Sequence, residues 1–144
     1  MMFFTGFSRT ASEIAAHQIK NTPNKTKELN DIYGMTTKAL DVLKTGNILD
    51  FGKLLHEAWQ LKRSLSEKIS TLHIDEIYNA ARDAGAQGGK LLGAGGGGFV
   101  LIFAAPEVQP KIRERLKNLL EIPFKFETLG SQIIFYQPNT GLVA

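Results

Sequence analysis

The chain has 144 residues, no cysteine, 17 lysines and arginines against 14 aspartates and glutamates, and 43% hydrophobic residues. That length suits one compact domain with a real core, and the missing cysteine excludes disulfides, thiolate catalysis and cysteine-ligated zinc, as fits a cytoplasmic location. The mild positive charge is spread over helical faces such as Lys111, Arg113, Arg115 and Lys117. It forms no basic arm with interleaved aromatics and no apolar run approaches membrane-spanning or signal-peptide form, so neither nucleic acid nor membrane is an expected partner.

Met2-Phe3-Phe4 reads as a strand stub, and Thr5-Gly6 turns the chain. Ser8 to Glu13 enters a helix, with Thr10 and Glu13 at capping-box spacing. The hydroxyls of Thr5, Ser8, Thr10 and Ser12 with Arg9 also fit an anion site, although an ordinary capped helix explains the same residues more simply. Pro23 and Asn24 break the chain. Leu29, Ile32, Tyr33, Thr36, Ala39, Leu40 and Leu43 then recur at helical spacing, and Gly46 ends that helix. A third helix is expected from Ile48 to Ile69. His56 and Trp59 lie near its apolar stripe and read as packing or boundary residues. Ile74, Ile77, Tyr78 and Ala81 mark a fourth helix, ended by Gly85.

Gly88-Gly89-Lys90-Leu91-Leu92-Gly93-Ala94-Gly95-Gly96-Gly97-Gly98-Phe99 dominates the second half, with glycine at seven of twelve positions. Each glycine loses more backbone freedom on folding than any other residue. Such density makes sense where the backbone takes left-handed dihedrals or a ligand approaches the main chain. A row of exposed N–H groups there forms an anion nest, so phosphate is the first ligand to consider. A flexible linker or long hairpin loop is the plainer alternative. The Walker pattern fails, because Gly98 is followed by Phe99-Val100 rather than Lys-Ser or Lys-Thr. Gly93, Gly95 and Gly98 match G-x-G-x-x-G literally, but the loop runs into a strand, Val100 to Phe103, and opens no helix, which disfavours a dinucleotide.

Pro106 opens a fifth helix with Val108, Ile112, Leu116, Leu119 and Leu120. Phe124 to Glu127 alternates as a strand should, and Gln132 to Tyr136 is expected as the last strand. Helices first, then strands around one helix, make an α+β fold: a small antiparallel sheet covered by helices on one side. His17, His56 and His73 are far apart and no carboxylate–histidine cluster appears, so the residues assign neither a metal site nor a catalytic residue.

The glycine stretch closely resembles the third conserved motif of the GHMP small-molecule kinases. Thr5-Gly6-Phe7-Ser8-Arg9-Thr10-Ala11-Ser12 and Phe126-Glu127-Thr128-Leu129-Gly130-Ser131-Gln132-Ile133-Ile134 resemble the sugar-phosphate branch of that family, whose members phosphorylate heptose 7-phosphate-like sugars. The resemblance covers nearly the whole chain, 1–144, as a GHMP C-terminal α+β domain with a ferredoxin-like sheet. It implies ATP and magnesium as cofactors of the intact kinase, a sugar-phosphate substrate, and an N-terminal ATP-binding domain as the missing partner. The Pro-x-x-x-Gly-Leu-Gly-Ser-Ser-type loop and acidic residue of that domain do not occur here, so the chain alone is expected to be inactive.

Carried over by position, Gly93, Ala94, Gly95, Gly96 and Gly97 would close on the phosphoryl-transfer region. Thr5, Gly6, Ser8, Arg9 and Thr10 would face the sugar-phosphate pocket, with Lys90 a further candidate. A stand-alone, non-catalytic ligand-binding or interaction module on the same scaffold is the alternative. Phe3, Phe4 and Phe7 are expected on an apolar face left open for the missing domain, with self-association, a homo-oligomer, as the consequence.

Overall fold

A computed structural model describes residues 1–7 and 10–136. Its elements in chain order are β1 (Met2–Phe4), α1 (Ala11–Asn21), α2 (Thr26–Thr45), α3 (Ile48–Ser64), α4 (Leu72–Asp83), β2 (Gly88–Leu91), β3 (Phe99–Phe103) and α5 (Gln109–Arg115). Short 3-10 turns at Thr22–Asn24 and Pro106–Val108 precede α2 and α5. The architecture is α+β. The three-stranded sheet is antiparallel with order β1-β3-β2, and β3 sits in the middle with Phe3 opposite Val100 and Leu91 opposite the same residue. Among the described residues no helix is long and apolar enough to cross a membrane.

Strand β3 alternates as its sequence requires: Val100 and Ile102 point into the core, the residues between them less so. They meet Phe3 from β1, Leu91 from β2, Ile14 from α1, Trp59 from α3, Ile74 and Tyr78 from α4, and Ile112 from α5. Helix α3 lies directly on β2. A Cβ at Gly88 would collide with the Gly52 carbonyl oxygen and stand 2.9 Å from the His56 amide, and one at Gly52 would stand 2.6 Å from the Phe103 ring. Two glycines facing each other let helix and strand backbones touch.

Several expectations are corrected. Helix α3 ends at Ser64, not Ile69: the Leu65 N–H turns to the Lys62 carbonyl at 3.2 Å, and residues 66–69 form a separate turn. Helix α5 closes at Arg115, so Leu116, Leu119 and Leu120 lie beyond it. Neither Phe124–Glu127 nor Gln132–Tyr136 is a strand. The outer edge of β1 is taken instead by residues 120–122, through Phe4 N–H to Leu120 (2.9 Å), Ile122 N–H to Met2 (2.8 Å) and the Phe3–Glu121 bridge. The same register sets Pro123 next in line, and a proline has no N–H with which to continue a ladder. The exposed apolar face is also elsewhere. Phe3 is 1% exposed and Phe4 and Phe7 are half-buried, whereas Phe126, Ile133, Ile134 and Phe135 stand open to solvent.

Candidate functional site

Because the glycine stretch joins two antiparallel partners, it is the tip of a hairpin, closed at its base by the Leu92 N–H on the Phe99 carbonyl at 2.8 Å. The tip is pinned from several sides. The Gly96 N–H donates to Ile69 (2.9 Å) and the Gly98 N–H to Phe7 (2.8 Å), while the Gly98 carbonyl accepts from the Thr5 N–H (2.8 Å). The Thr5 hydroxyl accepts from Gly98 at 3.0 Å and lies within donating reach of the Gly98 and Phe7 carbonyls. From the helices, Gln18 Nε2 holds the Ala94 carbonyl at 2.7 Å and Lys62 Nζ the Gly93 carbonyl at 2.6 Å. His73 Nε2 lies 3.1 Å from the Thr5 carbonyl, which only accepts, so that nitrogen carries the proton, and the His73 ring packs against Phe7.

This explains why α3 stops early. Once the chain has left the helix, the Ile69 carbonyl is free to receive Gly96. The loop then lies so close that a Cβ at Gly95 would come within 2.8 Å of Ile69 Cα and O, at a φ of +126° that side chains avoid.

Within the loop the Gly93, Ala94 and Gly98 carbonyls and the Gly96 and Gly98 amides are paired. Among the described residues nothing accepts from the N–H groups of Gly93, Ala94, Gly95 or Gly97. Unpaired amides on either side of the paired Gly96, on a pinned loop, are donors of the kind that phosphate oxygens accept from. The donor set therefore fits the phosphates of a nucleotide. It does not extend to a metal cage: the described residues hold no group of three His, Asp or Glu placed to bind an ion.

The structure brings some sequence candidates together and separates others. Gly93 to Gly97 lie together at the pinned loop tip, and Thr5 abuts it, but the Thr5 hydroxyl is wholly buried as a clamp on the loop. Gly6 turns the chain at a φ of +89° with open space where a Cβ would lie. Thr10 caps α1 by backbone geometry alone; its side chain accepts no cap hydrogen bond, so the expected capping box does not form. Lys90 lines a cleft beside the loop. Ser8 and Arg9 lie outside the described residues. Sequence reasoning passed over Gln18, Lys62 and Ile69. A signal existed for Lys62, a charged residue lying between Ala58 and Leu65 on the apolar stripe of α3. None existed for Ile69, whose role is played by its backbone.

His56 belongs to the core boundary. Its Nδ1 lies 2.7 Å from the Tyr78 hydroxyl and its ring stacks on that tyrosine. Burial, and after it the positive charge of Arg82, hold the imidazole below its ordinary range, with Glu57 opposing. Burial likewise pushes the Tyr78 phenol up.

The fold is thus an α+β domain whose antiparallel hairpin ends in a pinned glycine loop with unpaired amides at Gly93, Ala94, Gly95 and Gly97. Residues 39–122 match the family GHMP kinases C terminal, and the chain belongs to that family. It is 33% identical over 121 residues to the D-glycero-alpha-D-manno-heptose 7-phosphate kinase of Campylobacter jejuni, covering 82% of this chain and 35% of that protein. Among solved structures, the L. major mevalonate kinase in complex with R-mevalonate superposes with a TM-score of 0.70 at 23% identity, over 81% of this chain and 37% of that one. The Streptococcus pneumoniae phosphomevalonate kinase in complex with phosphomevalonate and AMPPNP gives 0.59 at 21% identity, over 81% and 35%. At those identities the two structures speak for the fold alone. The chain spans about a third of the length of each of these proteins.

Proposed function

We propose that this chain is the C-terminal half of an ATP-dependent sugar kinase that transfers the γ-phosphoryl of ATP to a hydroxyl of a heptose 7-phosphate-like sugar. The observation that carries this reading is the row of unpartnered amides at Gly93, Ala94, Gly95 and Gly97 on a pinned loop. Phosphoryl transfer relies on positioning and on electrostatic stabilisation of charge on equatorial oxygens, and fixed amides supply both without reorganising. Magnesium, when bound, would neutralise the nucleotide phosphates; this chain's part is to bind, orient and shield. Thr5 keeps the loop in place, and Gly6 and Thr10 flank Ser8 and Arg9 in the sequence. Arg9, whose planar guanidinium can present paired donors, binds the phosphate of the sugar. The nucleotide loop and the acidic partner come from an N-terminal domain, and the chain alone is inactive.

The loop is tested as a phosphate cradle by titrating the 15N-labelled chain with inorganic triphosphate. Saturable shifts at the amides of Gly93 to Gly97 are expected; their absence would remove the phosphate reading. Robust magnesium-dependent ATP turnover by the chain alone, with any sugar phosphate, would overturn its role as half an enzyme. For Arg9, replacement by alanine in the full-length enzyme should cost roughly 2–4 kcal/mol in kcat/KM, by analogy with loss of one oxyanion donor. A surface pairing with Glu13 would cost only about 0.3–0.5 kcal/mol of stability and leave the rate alone.

A further inference from the structure

Beside the glycine hairpin, a cleft of about 220 Å³ opens between α1, α2, α3 and β2. Its walls are apolar, with Leu29 and Ile32 from α2 facing Trp59 and Leu65 from the α3 side. Its polar groups are almost all donors. Lys62 and Lys90 both line it, and among the described residues neither has a carboxylate within salt-bridge distance. Lys62 gives one of its three protons to the Gly93 carbonyl. Gln18 Nε2 is turned to Ala94. Trp59 is 1% exposed, and its indole Nε1 is shielded from solvent with no acceptor. Burial, followed by the like charge of Lys90, pushes the Lys62 ammonium below the ordinary lysine range, as expected of two unneutralised cations close together.

Two half-shielded like charges are unfavourable until an acceptor arrives. We propose that this cleft is a binding site for a small amphiphilic anion, a monophosphate or carboxylate on a short apolar body, with Lys62 and Lys90 holding the charged end and Leu29, Ile32 and Trp59 the body. The size agrees: a cavity of roughly 150 Å³ takes a benzene ring. The site goes beyond the kinase reading and does not rest on it, since its groups are side chains outside the glycine amides. It does touch the loop, because Lys62 and Gln18 also hold the Gly93 and Ala94 carbonyls. A ligand that draws Lys62 inward therefore releases a restraint on the hairpin.

Trp59 is the only tryptophan in the chain, so its indole N–H gives a single assigned resonance. The test titrates the chain at constant ionic strength with phenyl phosphate, benzoate, inorganic phosphate and benzyl alcohol. Phenyl phosphate or benzoate is expected to shift the indole resonance saturably, the tighter of the two identifying the head group. Inorganic phosphate and benzyl alcohol should each bind about tenfold more weakly or worse, lacking the body or the charge. Lys90→Met should weaken the anion about tenfold while leaving triphosphate shifts at the loop amides intact, which separates this site from the cradle. Lys62→Met, made beside it, should weaken the anion and also perturb the Gly93 resonance. No saturable indole shift with either aromatic anion, equal binding of benzyl alcohol, or an unchanged affinity in both lysine variants would overturn the proposal.

Discussion

Glycines in this chain do different jobs, and substitution should separate them. Gly88 faces the α3 backbone, where a Cβ would strike the Gly52 carbonyl and nothing flexible can give way. Gly88→Ala is expected to destabilise the fold by about 3 kcal/mol, read from the urea midpoint. Gly93 has open space around it and a φ of +77°, so Gly93→Ala should lose only about 1 kcal/mol of dihedral cost. Equal losses at the two positions would refute the close helix–strand contact. His56 makes a second prediction. Its folded value is lowered, so the unfolded chain takes up the proton first as pH falls. Stability should therefore be whole above the ordinary imidazole value of about 6.5 and should decline as pH drops through it toward the folded value. Thermal melting across that window should show the slope, and His56→Gln should flatten it.

The helices test what capping is worth here. Thr71 caps α4 with its side-chain oxygen accepting from the Ile74 N–H at 3.3 Å. Thr10 stands at the same place before α1 and makes no such bond. Thr71→Ala should cost about 1 kcal/mol, whereas Thr10→Ala should move thermal stability by no more than about 0.5 kcal/mol. The spacing of Thr10 and Glu13 pointed to a capping box that does not form, because spacing reports which groups could meet and not which do. Periodicity served better: the α2 pattern ending at Gly46 is matched by a helix that stops there with Gly46 at a φ of +87°. It overran at α3, since Leu65 and Ile69 continue the apolar rhythm and are buried after the backbone has already left the helix.

For the molecule as a whole, large apolar side chains at the surface include Ile19, Tyr33 and Leu72 on the helices and a further group past α5. Phe126, Leu129, Ile133, Ile134, Phe135 and Tyr136 are all more than 70% exposed. Contiguous apolar surface of this kind drives association and dye binding. Truncation after Pro123 is expected to lower binding of a hydrophobic dye and to shift sedimentation toward monomer, with little loss of melting temperature, since among the described residues none of the buried core lies beyond that point. A collapse of the melting transition would mean that the segment packs against the core in solution.

What resides in the backbone was legible in the chain alone. Seven glycines in a stretch of twelve marked where the backbone takes left-handed dihedrals, at five loop positions, or meets another backbone closely, at Gly88 and Gly89 in β2. Helix number and order followed from periodicity for a similar reason: an apolar stripe has to be buried wherever it ends up. What the chain could not reveal is which groups are left over after packing. Ile69 offers a carbonyl only because α3 stops five residues short of it, Lys62 reaches Gly93 only because α3 lies on β2, and β1 pairs with residues 120–122 although the strand-like alternation lies farther on. Each of these depends on long-range hydrogen bonds competing for the same donors and acceptors, and that competition is resolved only when distant segments meet.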